Sequence, residues 1–189
     1  MESEYVVYVP DYDIKYYALE SEQIGKDFSK IFSSGKKFDS DEVLEAEVRK
    51  NYESSASAKE WPDCISCSHV PWVGNQKVVK VLSEYNGLFQ TVPLLIKENH
   101  EVSYSIIHVT NVIDCIDREK TNYTENPFDK DLLTSATNVK FISTKLESKP
   151  AIFIAKGLKS IVFVNKELAI NLANYLSGFD FYEVAEIGM

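Results

Sequence analysis

Asn75-Gln76-Lys77-Val78-Val79-Lys80-Val81-Leu82-Ser83-Glu84-Tyr85-Asn86-Gly87-Leu88-Phe89 contains a complete helix between its own start and stop signals. The Asn75 side chain can accept a hydrogen bond from the first free backbone N–H groups of a helix. Val78, Val79, Val81 and Leu82 then fall on or near one stripe at helical spacing. Gly87 tolerates the left-handed backbone that closes a helix. The spacing predicts a helix over 76–85 and a strand from Phe89 onwards. Near the C-terminus the pattern returns. Asn165 precedes a predicted helix over Lys166–Tyr175, Gly178 stops it, and a strand follows over 179–186. Val78, Leu82, Tyr85 and Gly87 match Leu168, Leu172, Tyr175 and Gly178 in order. Two helix–Gly–strand units among many short strands predict an α+β fold with mixed or antiparallel sheets, and suggest a degenerate internal duplication.

Around these units the remaining elements read as strands. Tyr5-Val6-Val7-Tyr8-Val9 is β-branched and aromatic, and Pro10 stops it. Residues 43–50 fit either a helix start after Asp39-Ser40-Asp41-Glu42 or a strand in which Val43, Glu45 and Glu47 alternate with Leu44, Ala46 and Val48. Residues 53–58 have linker composition. Pro93 inside the strand over 89–96 predicts an edge position or a bulge. After a turn at Asn99, residues 102–113 predict one long return strand, with Tyr104, Ile106 and His108 facing one way. A strand over 139–146 follows. Ile152–Ala155 and 161–164 then form a hairpin through Gly157.

The chain has 189 residues and a formal charge of −9, with 44% hydrophobic and 26% charged residues. That is one domain, 1–189, able to bury roughly 70% of its unfolded surface without metal or disulfide support. Residues 1–60 form an acidic N-terminal portion, with 14 acidic and 8 basic residues. An isoelectric point near 4.9 argues against binding a phosphate backbone, so no nucleic-acid partner is expected. The opening Met1-Glu2-Ser3-Glu4 is acidic where a secretory signal is basic, and no apolar run approaches the roughly 18 residues of a membrane span. A soluble cytoplasmic protein without a membrane partner is expected. Three cysteines are too few for a disulfide framework and read as reduced thiols.

Two constellations could carry chemistry. Cys64-Ile65-Ser66-Cys67-Ser68-His69 offers a CxxC pair and a histidine, with His100, His108 or Cys115 as a fourth zinc ligand. The second half of a zinc motif is missing, and no metal or cofactor is expected. The alternative is a small metal- or thiol-dependent enzyme centred on Cys64, Cys67 and His69. Asn111-Val112-Ile113-Asp114-Cys115-Ile116-Asp117-Arg118-Glu119 is the densest polar run. Asp114, Asp117 and Glu119 could serve as a carboxylate set. They could equally cap a turn, with Arg118 pairing a carboxylate and Cys115 buried. Phosphate-binding loops, nucleophile elbows and HExxH are absent from the sequence.

Trp61-Pro62-Asp63, the segment from Asn75 to Gly87, the strand with Pro93, and Asn111 through Thr121 resemble the immunity-protein family numbered eleven of bacterial polymorphic toxin systems. Ile152 to Gly157, Phe163 to Leu168 and Leu176 to Val184 resemble that family's closing motif. The likeness covers roughly 61–189, and Asn75 and Asn165 stand where the family has Ser. It favours a strand over 43–50. It implies a non-enzymatic cytoplasmic immunity protein that binds and neutralises a cognate protein toxin, and it brings no catalytic residues. On the residues' own chemistry, the expected toxin-facing carboxylates are Asp39, Asp41, Glu42, Glu45, Asp114, Asp117 and Glu119. A structural or regulatory interaction module is the remaining alternative.

Overall fold

The computed structural model describes residues 4–10, 18–20, 35–38, 44–49, 61–67, 70–97, 103–158 and 161–184. In chain order the strands and helices are β1 (Tyr5–Pro10), β2 (Ala18–Glu20), β3 (Leu44–Arg49), β4 (Cys64–Cys67), β5 (Val70–Asn75) and α1 (Gln76–Leu82). After them come β6 (Phe89–Ile96), β7 (Tyr104–Val109), β8 (Val112–Ile113), β9 (Asn122–Glu125) and β10 (Leu133–Thr137). The last are β11 (Ile152–Ala155), β12 (Val162–Asn165), α2 (Lys166–Tyr175) and β13 (Phe179–Glu183). The fold is α+β, with mixed and antiparallel sheets.

Both asparagines cap as their chemistry dictates. Asn75 Oδ1 accepts from the backbone N–H groups of Lys77 and Val78, and Asn165 Oδ1 accepts from that of Leu168. Each bond satisfies a donor the helix cannot pair internally, a contribution of about 1 kcal/mol. The first helix runs as α to Leu82 and tightens into a 3-10 turn over Ser83–Tyr85. Gly87 and Gly178 follow the two helices at φ +92° and +93°.

The two units share a topology. In the first, β5, α1 and β6 make a crossover whose strands both pair antiparallel to β7, which lies between them. In the second, β12, α2 and β13 do the same around β1. An antiparallel hairpin precedes each crossover, β4 with β5 and β11 with β12. The position held by the following strand in the first unit is taken in the second by the earliest strand of the chain.

Six strands curl into a ring, β2-β3-β6-β7-β5-β4, in which β2 joins β4 in parallel. Five form an open sheet, β13-β1-β12-β11-β8, and β9 and β10 make a separate ribbon. Strand alternation assigns residues to three apolar layers. Leu44, Ile65, Cys67, Val73, Leu94, Tyr104 and Ile106 lie in the layer formed by the ring strands. Trp72, Ile107 and Val109 pack with both helices, and with Val6, Ile152, Ile154 and Val164, in the layer shared by ring and open sheet. The opposite face of the open sheet buries Tyr5, Val7, Phe153 and Phe163 under residues 115–146. There Phe153 and Phe163 stack at 5.2 Å, and Phe141 meets both rings edge-on. Such pairs add about 1 kcal/mol each beyond area burial.

Four expectations need correction. The return strand over 102–113 is two strands in different sheets: the N–H groups of both Thr110 and Asn111 turn to the Leu88 carbonyl, and the chain crosses from ring to open sheet. Residues 139–146 are not a strand; Phe141 makes one bridge to Ile116 and a 3-10 turn follows at Ser143–Lys145. The last strand ends at Glu183 rather than 186. The strand with Pro93 is not an edge: it is flanked by β7, where Pro93 registers with Ser105, and by the parallel strand β3, whose described register begins at Leu94. Residues 43–50 resolve as a strand in their described part, β3, and the linker at 53–58 lies outside the described residues.

Candidate functional site

The polar run after β8 is built into a turn. Cys115 and Ile116 are buried, and the Cys115 carbonyl accepts the Ile142 N–H at 2.8 Å. The Asp117 N–H donates to the Lys140 carbonyl at 2.8 Å, and its own carbonyl accepts from Thr121 at 2.9 Å. Its carboxylate accepts the Glu119 N–H at 3.2 Å and the Lys120 ammonium at 2.6 Å. That bond from Lys120 holds the Asp117 carboxyl below its ordinary range. Thr121 Oγ1, buried, accepts from the Lys140 N–H at 3.0 Å and fixes the turn against the segment leading to Phe141. Asp117 therefore builds the turn. Asp114 and Glu119 are exposed, and among the described residues no cation lies within ion-pair distance of either.

Arg118 binds the neighbouring ribbon. Its guanidinium lies 3.4 Å from the Glu125 carboxylate, 3.4 Å from the Lys130 carbonyl and over the Tyr123 ring at 5.6 Å. The ribbon tip between β9 and β10 displays Phe128, whose side chain is 96% exposed. Sequence reasoning passed over Phe128; the signal was Asn126-Pro127 and Asp129, turn formers that leave the intervening aromatic outside any strand.

Of the N-terminal acidic candidates, Asp39, Asp41 and Glu42 lie outside the described residues. Glu45 is exposed on β3, in register with Leu95 of β6, which is also exposed.

The Cys64/Cys67 pair lies on a strand, and this disposes of chelation by the pair. Residues three apart on a strand point to opposite faces. Cys64 packs in the layer shared by ring and sheet, whereas Cys67 packs with Ile65 in the ring layer. Burial pushes the Cys64, Cys67 and Cys115 thiols each up to about 12. For Cys64 the Trp72 indole and Tyr8 phenol beside the sulfur offset that only in part. His108 is buried on β7 and donates from Nε2 to the Lys36 carbonyl at 2.5 Å. Among the described residues no three His, Cys, Asp or Glu side chains converge as a metal set; His69 and His100 lie outside them.

The other residue missed from sequence is Asp63, 8% exposed between the two units. Its carboxylate accepts from Asn75 Nδ2 at 2.9 Å, from the Lys77 ammonium at 3.1 Å and from the Ser177 N–H at 3.2 Å. Burial pushes its pKa up, but the bonds from Asn75, Lys77 and Ser177 prevail and hold it below the ordinary value. Asp63 is an internal tie between the start of α1 and the residues after α2.

No helix among the described residues is long and apolar enough to cross a membrane. No protein-family model matches the chain, and no curated protein matches it.

Proposed function

We propose that this chain is a protein-binding inhibitor, an immunity protein that covers a cognate protein toxin in the cytoplasm and neutralises it without a reaction of its own. The carrying observation is the pair Asp114 and Glu119: exposed carboxylates on a turn that Asp117, Thr121 and Lys140 already hold in shape. Charge that serves no internal pairing is available to steer an oppositely charged partner and raise the association rate. The overall charge of −9 acts in the same direction. The resemblance of 61–189 to the immunity family supports the reading. The three buried, high-pKa thiols speak against a thiol-dependent enzyme, because the thiolate is the reactive species.

A complex burying about 1,600 Å² would suffice for stable inhibition. The test is copurification with the C-terminal domain of the protein encoded by the adjacent gene, together with that domain's toxicity in cells. A one-to-one complex that suppresses toxicity is the expected result. If no neighbouring gene product binds, the proposal is lost.

A further inference from the structure

We infer that the ribbon tip, residues 126–132, is an anchor that seats the Phe128 ring in an apolar pocket on a cationic protein partner. The inference rests on the binding function proposed above and specifies which part of the chain makes the central contact.

Phe128 stands apart from its own kind. Seven other phenylalanines are described, and each is buried or half-buried. A fully hydrated phenyl ring gives the fold nothing, whereas one aromatic seated in a partner's pocket is the usual form of an interface hot spot.

The backbone beneath the ring is already ordered. Asn126 Oδ1 accepts the N–H groups of Phe128 at 2.9 Å and Asp129 at 3.2 Å. Asp129 Oδ1 accepts the Asp131 N–H at 3.1 Å, and the Leu132 N–H reaches the Asp129 carbonyl at 3.0 Å. The loop closes through Asn126 N–H on the Leu132 carbonyl at 2.9 Å. It is moored to the open sheet where the Leu133 N–H donates to the Gly157 carbonyl at 3.0 Å, and to the turn through Arg118 on the Lys130 carbonyl. A preorganised anchor loses little entropy on binding, so more of its contact energy appears as affinity.

Charge selects the occupant. Between Asp114 and Asp131 there are six carboxylates and three cations. Arg118 and Lys120 are engaged with Glu125 and Asp117, and Asp131 lies 4.0 Å from the Lys156 ammonium. This leaves Lys130 as the one cation of this segment without a carboxylate partner among the described residues, and Asp114, Glu119 and Asp129 as the carboxylates outside any ion pair. Asp114, Glu119 and Asp129 are exposed, with no cation within ion-pair distance among the described residues. Two copies of such a tip on a chain of charge −9 repel each other, and a nucleic acid is repelled likewise. A cationic protein face with an apolar pocket complements both ring and carboxylates.

The experiment measures binding of full-length variants to the toxin domain encoded by the adjacent gene, by biolayer interferometry at 50 and 300 mM salt. Phe128→Ala is expected to weaken the complex about tenfold or more, chiefly by faster dissociation. Asp129→Lys is expected to slow association at low salt. Ile170→Ala, which removes another exposed apolar side chain from α2, serves as the control and leaves binding unchanged. If the native chain binds but Phe128→Ala and Phe128→Asp bind equally well, the anchor is refuted and the inhibitor function stands. If the native chain does not bind, both fall. A Phe128-dependent dimer of the chain alone, seen by light scattering, would make a second copy the occupant and overturn the cationic partner.

Discussion

Asp63 and Ser177 are 114 residues apart in sequence and bind each other in both directions. Ser177 donates its N–H at 3.2 Å and its hydroxyl at 3.3 Å to Asp63 Oδ2, while the Asp63 N–H donates to Ser177 Oγ at 3.3 Å. The next residue continues the contact, with the Cys64 N–H on the Ser177 carbonyl at 2.8 Å. Since Asp63 also holds Asn75 and Lys77, one buried carboxylate joins the two crossover units.

Removing that carboxylate should be costly. Asp63→Ala leaves several donors unsatisfied and is expected to lower stability by about 2–3 kcal/mol, read as a lower urea midpoint. The pH dependence follows from the depressed pKa. The stabilisation is present above the unfolded value of 3.8 and is lost as pH falls from there through the lower folded value. Native protein should therefore lose more stability than Asp63→Asn between about pH 5 and pH 3. Equal losses would refute the tie.

The two caps should differ. Asn165→Ala removes a cap alone and should cost about 1 kcal/mol. Asn75→Ala also removes the donor to Asp63 and should cost about 2 kcal/mol. The excess should vanish when Asp63 is already Ala, a coupling that a double-mutant cycle in urea measures directly.

Gly87 and Gly178 form a matched pair at nearly the same positive φ. A Cβ on Gly87 meets nothing within 4 Å, so Gly87→Ala should cost only the left-handed backbone, about 1–2 kcal/mol. At Gly178 the same atom would overlap the Cys64 carbonyl oxygen. Gly178→Ala should therefore cost at least about twice as much, because rigid backbone must move. Equal melting shifts would show that the close approach is absent.

Thiol labelling gives a test without mutation. With three buried thiols at about 12, iodoacetamide at pH 8 should modify none appreciably in the native protein and all three in urea. Rapid stoichiometric labelling of the native chain would contradict the burial of the thiols.

Glu119→Lys should leave the urea midpoint within about 0.5 kcal/mol of native, because the side chain holds nothing in place. If the proposed toxin partner binds, this variant should associate with it more slowly at low salt and less so at high salt. Asp117→Ala, by contrast, should loosen the turn and lower the urea midpoint measurably.

Local signals were legible because their cause is local. Asn75 and Asn165 cap, Gly87 and Gly178 stop, and the faces of Tyr104, Ile106 and Ile107 alternate, all from chemistry within a few residues. What failed was decided by distant partners. The break at Thr110 and Asn111 depends on the Leu88 carbonyl, and Asp63 acquires its role only when Ser177 arrives. CxxC spacing suggested chelation, but on β4 the same spacing separates the sulfurs. Phe128 was overlooked because an aromatic is counted towards the core by default, and only the folded ribbon shows it facing water.

β1 occupies the slot between β12 and β13, so the ribosome makes this strand more than 150 residues before either neighbour. Until those neighbours are made, its backbone hydrogen-bonding edges and its apolar side chains are unclaimed, and the open sheet is completed only once residues 162–183 have left the exit tunnel. Folding of this half thus waits on late-made strands and has high contact order, and a nascent chain stalled before Val162 carries a sticky segment that chaperones would be expected to hold.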